Sequence, residues 1–266
     1  MIAPNIVICN KLNVDVYETL GPRVKIRLDH LLVQRELAET RSKAQDMIRR
    51  GVIRVRGRTD MKPGFEVSDD EPVEVLEKMP YVARSALKLA AALDAFGLAP
   101  NARTCLDVGA STGGFTEVLL ERGATRVYAV DVGRDQLHAS LRQNVRVVSM
   151  EAQDARSLAP ALFDAPIEAV TCDVSFISLE KVLPAVLPLA APGAWLVALV
   201  KPQFEVGRDG VGKGGIVKDE NLRRAAVERV MACIEAEGWR VIGAVASPIK
   251  GQDGNEETLV AASRER

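Results

Sequence analysis

A glycine-rich turn stands between an apolar segment and a helical one, and acidic residues follow it at intervals. Residues 106–115 have the sequence LDVGASTGGF, and glycine lets backbone approach a ligand closely. About twenty residues later Asp131 ends the next apolar segment, where its carboxylate can accept hydrogen bonds from both hydroxyls of a ribose. Asp154 follows the third segment and is placed to reach an adenine amino group. Turn glycines and helix-capping acids would explain each piece alone, but not the three in this order.

A second set of charged residues borders apolar segments at the edge where a parallel sheet binds ligands. Lys201 directly follows the apolar segment 195–200. A lysine that is desolvated by a bound ligand, with a second cation nearby, can act as a general base. Lys88 is a candidate for that cation, and Asp173 and Glu257 border strands at the same edge. Any one of the four, taken alone, could be an ordinary surface charge on the rim of the sheet.

The order of strand, glycine turn, Asp131 and Asp154 resembles the cofactor site of class I S-adenosylmethionine-dependent methyltransferases. The turn has the spacing GxxxGG rather than the pyrophosphate fingerprint GxGxxG, and it offers no cation, which suits a nucleoside without phosphates. The resemblance implies S-adenosyl-L-methionine as the cofactor. The cofactor contacts it predicts are Asp107, Gly109, Ala110, Ser111, Thr112, Gly113, Gly114, Phe115, Asp131, Val132, Asp154 and Asp173.

The residues after the fourth strand bear on which group accepts the methyl. A nucleophilic cysteine would need a thiol at a strand end, but Cys172 lacks the Pro-Cys context and alternates in direction with Asp173. An amino acceptor would favour Asp/Asn-Pro-Pro-aromatic, whereas residues 173–176 are DVSF, without either proline. A ribose hydroxyl is a very weak acid whose proton must leave as the new bond forms, and Lys201 suits that task.

The alternation of segments after Pro80 predicts a doubly wound α/β sheet, a fold that would bring these candidate residues together. Apolar segments alternate there with helical ones. The clearest helices are predicted at Tyr81–Phe96, Phe115–Arg122 and Asp219–Gly238. The seven predicted strands are Thr104–Val108, Arg126–Val130, Arg146–Ser149, Ala169–Asp173, Trp195–Val200, Arg240–Val245 and Thr258–Ala262.

The segment before this sheet is basic although the whole chain has a net charge of −1. Residues 25–62 contain 11 Lys and Arg against 5 Asp and Glu, which indicates a face for a polyanion. Helical spacing is predicted from Ile26 through Leu32, followed by a second helix, Arg41–Arg50, with Thr40 as N-cap and Gly51 after its end. Short strands are predicted at 52–57 and 73–76.

This arrangement resembles the small α+β S4 RNA-binding domain, although Arg56 stands where an asparagine is usual. The predicted organisation is a flexible leader at 1–24, an S4-like domain at 25–79 and a methyltransferase domain at 80–266. The resemblance implies phosphate contacts that give affinity rather than base specificity. The RNA-binding residues expected are Arg27, Arg41, Lys43, Arg49, Arg50 and Arg84.

Longer motifs behind the S4-like segment are similar to those of the TlyA (hemolysin A) family. They are DVGASTGGFTEVLL, DVSFISL, LVKPQFEVG, GGIVKD and SPIKGxxGNxE. The order Lys–Asp–Lys–Glu also resembles the catalytic tetrad of FtsJ/RrmJ-type 2′-O-methyltransferases. The resemblance implies methylation of a cytidine 2′-hydroxyl in 16S or 23S ribosomal RNA. Lys201 would be the general base, Asp173 would orient it, and Lys88 and Glu257 would position the ribose. Thr258 stands where an aromatic residue is usual.

The composition and short motifs of the chain argue against several other classes of protein. The chain is 47% apolar and 27% charged, as in ordinary soluble proteins. The most apolar stretch, 182–200, is interrupted by three prolines and Gly193, and the N-terminus lacks the pattern of a secretory signal. Four scattered cysteines without a CxxC pair predict neither a disulfide nor a metal site. Residues 207–214 satisfy GxxxxGK, but Gly214 lacks the hydroxyl of a P-loop, so a flexible loop over the active site is predicted.

The expected setting is therefore cytoplasmic, with ribosomal RNA or ribosomal subunits as partners and no membrane. The sequence does not determine the oligomeric state. Two alternatives remain at this point. One is a membrane-active protein of the hemolysin type, and the other is an RNA-binding ribosome assembly factor without catalysis.

Overall fold

A computed structural model describes residues 24–49, 51–59, 61–76, 81–251 and 253–265, without the side chain of Arg208. The chain divides into two compact units, Met1–Lys78 and Met79–Arg266. Nearly all of the predicted leader, together with Arg50, lies outside the described residues.

In its described residues, the first unit combines two helices with two pairs of antiparallel strands. Apolar side chains from both helices and from β2 form its core, among them Leu28, Leu32, Ile48 and Ile53. The strand pairs are β1 with β3 and β2 with β4. The elements are β1 (Lys25–Arg27), α1 (Leu28–Gln34), α2 (Arg41–Arg49), β2 (Ile53–Val55), β3 (Glu66–Ser68) and β4 (Val73–Val75).

The predicted helical spacing from Ile26 is wrong at its start. Ile26 lies in β1, where it pairs with Val67 of β3, and α1 begins only at Leu28. The strand depends on a partner some forty residues later, which a local periodicity does not contain. The predicted start of α2 is confirmed, since Thr40 Oγ1 accepts the Lys43 N–H at 3.2 Å. The predicted last residue, Arg50, is not described, but Gly51 follows at φ +71° and donates to the Ile48 carbonyl as expected of a residue after a helix end.

The second unit is a seven-stranded sheet with the order β10-β11-β9-β8-β5-β6-β7, which confirms the predicted α/β class. The strands from β9 to β7 run parallel to one another, while β11 is antiparallel to both of its neighbours. The strands are β5 (Thr104–Val108), β6 (Arg126–Asp131), β7 (Val147–Glu151), β8 (Ile167–Cys172), β9 (Ala190–Val200), β10 (Trp239–Ala246) and β11 (Thr258–Arg264).

Helices cover both faces of this sheet. The strands alternate their side chains, so Leu106 and Val108 face a core with α6 and α8, while Cys105 faces a core with α3 and α4. The helices are α3 (Ala86–Phe96), α4 (Gly114–Glu121), α5 (Ala139–Arg142), α6 (Leu183–Val186), α7 (Pro202–Glu205) and α8 (Glu220–Ala236). The helix predicted from Tyr81 begins only at Ala86, because residues 83–86 form a tighter turn in which the Ala86 N–H donates to the Ala83 carbonyl.

The order of the strands in the sheet indicates the edge at which a ligand binds. The chain moves outward from β5 through β6 to β7 and then returns to β8 on the other side of β5. In open α/β sheets ligands bind outside the carboxyl ends of the strands at such a reversal. The loops after β5, β6, β8 and β9 therefore converge on one edge, which carries Gly109, Asp131, Asp173 and Lys201.

Candidate active site

The loop between β5 and α4 is packed too closely to accept side chains at its glycines. Gly109 has φ +83°, and a Cβ there would lie 2.6 Å from the carbonyl oxygen of Asp173. Gly113 has φ +102°, and its Cβ would lie 2.2 Å from Cδ1 of Leu141. Both would be strained and obstructed with any other residue. The loop therefore presents bare backbone at the carboxyl edge of the sheet, next to Asp173, the residue that follows β8.

Asp131 lies at the end of β6 and bridges two loops. Its carboxylate accepts the Ser111 N–H at 2.8 Å and the Gly133 N–H at 2.7 Å. The next residue, Val132, is an apolar side chain that is 72% exposed. The two together offer hydrogen-bond acceptors for a ribose and an apolar surface for the flat ring attached to it. This arrangement fits the nucleoside part of S-adenosylmethionine.

Two of the predicted cofactor contacts have side chains that do not face the loop surface. Phe115 is buried in the core against α3. Asp107 is fully buried, and its two carboxylate oxygens accept hydrogen bonds from Thr116 at 2.7 Å and Thr171 at 2.8 Å. Burial raises the pKa of Asp107 to about 6. Both side chains therefore support the loop from beneath, and a cofactor contact at these two positions remains a prediction.

Asp154 lies after β7 and remains accessible. Its carboxylate is held by Arg156, whose Nη2 is 2.6 Å away, and it also caps a short 3-10 turn by accepting the Arg156 N–H. The Arg156 guanidinium keeps the pKa of Asp154 below its usual range, so the carboxylate is anionic and fixed. Each oxygen accepts two hydrogen bonds from Arg156, so the contact with an adenine amino group remains a prediction. The remaining loop residues predicted to contact the cofactor are Ala110, Ser111, Thr112 and Gly114.

The four predicted catalytic side chains form two ion pairs at this edge. Lys201 Nζ lies 2.7 Å from Oδ1 of Asp173 and 2.7 Å from Oγ of Ser175, with 11% and 14% of the two charged side chains exposed. Lys88 is hydrogen-bonded to Oε2 of Glu257, and only 7% and 3% of these side chains are exposed. Ser175 was not among the predicted site residues, although it belongs to the DVSF motif.

Sheet register explains why the two pairs share one edge. Lys201 follows β9 and Asp173 follows β8, which is paired to β9 in parallel. Thr258, the first residue of β11, pairs with Val200 in antiparallel register. The preceding residue, Glu257, therefore comes level with Lys201 across the sheet. Lys88 reaches the edge from the first turn of α3 through its bond to Glu257.

A buried asparagine joins the segment before Glu257 to the glycine-rich loop at 207–217. Asn255 Oδ1 accepts the Val217 N–H at 2.9 Å, and its Nδ2 donates to the Gly215 carbonyl at 2.8 Å. The side chain is fully buried. The loop is thus tied to the segment that carries Glu257. The GNxE motif contained the signal, but only the fold shows what Asn255 binds.

An exposed aromatic residue follows Asp173 by three residues in the chain. Phe176 is 91% exposed and has φ +65°, a costly conformation for a bulky side chain. Its ring centroid lies 5.2 Å from that of Phe204. Phe176 follows Asp173 by three residues, and Phe204 follows Lys201 by three residues. Exposed aromatic rings are surfaces on which nucleic-acid bases stack. The motif DVSF was visible in the sequence, but the exposure of its phenylalanine was not.

In the first unit, one buried carboxylate organises two of the predicted RNA-binding arginines. Asp29 accepts hydrogen bonds from Arg27 at 2.9 Å, Arg41 at 3.1 Å and Gln45 at 2.8 Å. Arg27 above all holds the pKa of Asp29 well below its usual range. Two exposed guanidinium groups against one carboxylate leave a net positive charge at the surface.

Two more of the predicted RNA-binding residues, Lys43 and Arg49, lie on α2. Lys43 pairs with Glu39 at 3.0 Å, and Arg49 is exposed in the last turn of α2. Arg84 belongs to the second unit, in the turn before α3. No helix in the described part of the chain has the length and apolar character needed to cross a bilayer.

Comparisons with known proteins show the family of the chain. The family described as FtsJ-like methyltransferase matches residues 81–264. Over 235 residues the chain is 46% identical to the 16S/23S rRNA (cytidine-2′-O)-methyltransferase TlyA of Mycobacterium tuberculosis, with 88% of each chain covered. A solved structure named as a hemolysin, from Streptococcus thermophilus, has 41% identity and a TM-score of 0.73, covering 91% of this chain and 89% of that one.

A shorter likeness is to a ribosomal protein. Over 77 residues the chain is 32% identical to the small ribosomal subunit protein uS4A of Myxococcus xanthus, which covers 29% of this chain and 35% of that protein. The family match spans most of the second unit, and the relative from M. tuberculosis extends over nearly the whole chain. The chain therefore belongs to the FtsJ-like methyltransferase family and, within it, to the TlyA group.

Proposed function

We propose that this protein transfers a methyl group from S-adenosylmethionine to the 2′-hydroxyl of a cytidine in ribosomal RNA. The observation that carries the proposal is the Lys201–Asp173 pair, which is largely shielded from solvent at the carboxyl edge of the sheet beside the glycine loop. The name of the M. tuberculosis relative supports the acceptor and the RNA class.

The cofactor would be held by the loop at 109–114, by Asp131 and Asp154, and by the exposed face of Val132. When bound, S-adenosylmethionine supplies a methyl group on a positively charged sulfur. The loop itself contains no lysine or arginine, and two carboxylates stand at the strand ends that follow. This charge suits a cationic nucleoside and would repel a nucleotide phosphate.

Lys201 would remove the proton of the ribose hydroxyl. In its amine form Lys201 accepts that proton while the hydroxyl oxygen forms its bond to the methyl carbon. Asp173, 2.7 Å away, stabilises the ammonium that results, and Ser175 holds the same nitrogen in place. The Lys88–Glu257 pair would position the ribose, with Glu257 as a hydrogen-bond acceptor for its hydroxyls.

The first unit would bind the RNA backbone in the manner of an S4 domain. The likeness to uS4A and the two arginines oriented by Asp29 support this role. Phosphate contacts of this kind give affinity and orientation rather than sequence specificity.

The direct test is tritium transfer from labelled S-adenosylmethionine to purified small and large ribosomal subunits, followed by mapping of 2′-O-methylation. We expect label in 2′-O-methylcytidine. Label on a base would contradict the hydroxyl assignment. Tight RNA binding without any affinity for S-adenosylmethionine would instead favour an assembly factor without catalysis.

Asp131→Ala should weaken binding of S-adenosylmethionine by about 1–3 kcal/mol, because buried hydrogen bonds to the cofactor ribose are lost. Calorimetric titration with S-adenosylmethionine measures the change. The matched control is Asp94→Ala, which removes a carboxylate that pairs with Arg122 on the surface. Equal cofactor affinity in the Asp131 variant and the wild type would refute the ribose contact.

Arg41→Ala should lower affinity for ribosomal RNA regardless of sequence. It should also reduce the slope of log affinity against log salt concentration by about one, since one phosphate contact is removed. Fluorescence anisotropy at several salt concentrations gives the slope. Arg54→Ala is the control, since Arg54 lies on β2 in the same unit and pairs with exposed Glu74. The same salt slope in Arg41→Ala and wild type would argue against a phosphate contact.

A further inference from the structure

A buried glutamate on α7 joins the two segments that carry the Lys201–Asp173 pair. Glu205 is 9% exposed and is the last residue of α7, the helix that follows Lys201. Its Oε1 accepts the N–H of Leu179 at 2.9 Å, and its Oε2 accepts the hydroxyl of Ser178 at 2.6 Å. Both carboxylate oxygens are therefore bonded to the segment that begins at Asp173.

The segments 173–179 and 201–205 contact each other at successive positions, in the same order along both. The first contact is the ion pair of Lys201, the second is the ring contact between Phe204 and Phe176, and the third is the carboxylate of Glu205. This order continues the parallel pairing of β8 with β9 beyond the sheet. Glu205 makes the last of these contacts along both segments.

The segment 173–179 contains a residue whose conformation needs support from its surroundings. Phe176 has φ +65°, a conformation that a bulky side chain keeps only where neighbouring contacts fix the backbone. The Asp173 N–H donates at 2.8 Å to the carbonyl of the last residue of β5, which fixes one end of the segment. Glu205 fixes the other end. Without it, the residues between the two ends, Ser175 among them, would be free to relax.

The helix α8 holds Glu205 from a third direction. Nη2 of Arg229 donates to the carbonyl of Glu205 at 2.6 Å, and Nε of Arg229 lies 3.7 Å from Oε2 of Glu180. Burial raises the pKa of Glu205, so a carboxylate at this position has an energetic cost. An apolar side chain could fill the same space without that cost. The contribution of Glu205 therefore lies in its two acceptor oxygens.

We propose that Glu205 is a positioning residue for methyl transfer, because it holds Asp173 and Ser175 where they orient Lys201. Its own oxygens are occupied by Ser178 and Leu179, so it acts through this segment and not on the ribose or the cofactor. The inference rests on the proposed function, since it takes Lys201 to be the base.

The test is single-turnover tritium transfer to ribosomal subunits at saturating S-adenosylmethionine. We expect Glu205→Met to be about 10²-fold slower, the loss that a misplacement of about 1 Å can cause, with affinity for S-adenosylmethionine close to wild type. Glu205→Gln should keep most of the rate, because its amide oxygen accepts the Leu179 N–H while its nitrogen donates to Ser178 Oγ. Equal rates in Glu205→Met and the wild type would overturn the proposal.

A second measurement separates positioning from general support of the fold. Effects of residues that act as a unit do not multiply, so Glu205→Met should not slow the residual transfer of Lys201→Ala any further. An equal loss in both backgrounds would show that Glu205 supports only the fold. Glu168→Met is the matched control, because Glu168 accepts the Thr104 N–H at 3.1 Å near the amino end of β8 and should retain the wild-type rate.

Calorimetry with S-adenosylmethionine checks the fold of each variant. If Glu205→Met does not bind the cofactor, Glu205→Asp takes its place, since it keeps the charge but is one methylene too short to reach both donors. It should also be slow. Wild-type transfer in these variants would overturn the role of Glu205 and leave the proposed function intact, whereas a wild type that methylates neither subunit would overturn both.

Discussion

Lys201→Ala is expected to reduce methyl transfer about 10²- to 10⁴-fold, the usual contribution of a general base. Affinity for S-adenosylmethionine and for RNA should stay close to wild type, because Lys201 acts on a proton that moves only in the transition state. Single-turnover tritium transfer gives the rate, and calorimetry and anisotropy give the two affinities. Lys218→Ala, at an exposed lysine in the same unit, should retain full activity.

Lys201→Arg separates the two possible roles of this residue. A guanidinium keeps the positive charge but does not give up its proton near neutral pH, so it cannot accept one from the ribose. We therefore expect the arginine variant to be as slow as the alanine variant. If arginine restored the rate and alanine mainly weakened RNA binding, Lys201 would be a phosphate contact rather than a base.

Glu257→Ala is expected to lower the free energy of unfolding by about 3–5 kcal/mol, since it leaves the buried ammonium of Lys88 without its partner. Methyl transfer should be lost as well, because the ribose would lose its acceptor. Urea denaturation measures the stability, and single-turnover transfer measures the activity. Exposed Glu256 is the neighbouring control, since it pairs only with exposed or half-buried cations, and Glu256→Ala should change the stability little.

The double variant Lys88→Met/Glu257→Leu distinguishes structure from chemistry. Replacing both members of a buried pair with apolar side chains of similar size is often neutral or stabilising. We therefore expect stability near wild type, with the activity still absent. If the double variant regained methyl transfer, the pair would be structural only, and the ribose-positioning role would be wrong.

Much of the site could be predicted from the sequence because its signals are local. Glycine at 109 and 113 is required by backbone conformation, Asp131 ends a strand whose apolar pattern is self-evident, and β5 begins and ends where the pattern predicts. The capping of α2 by Thr40 depends on residues within one turn. Features of this kind need no distant partner, so the order of residue types is enough to determine them.

Other features depend on contacts between segments far apart in the chain, and only the tertiary structure decided them. Lys88 and Glu257 pair across 169 residues because β11 is inserted beside β9 and brings Glu257 level with Lys201. The burial of Asp107 beneath the glycine loop and the exposure of the Phe176 ring also follow from the tertiary packing. A motif specifies residue types and spacing, whereas burial and ion-pair partners follow from how the strands are ordered and packed.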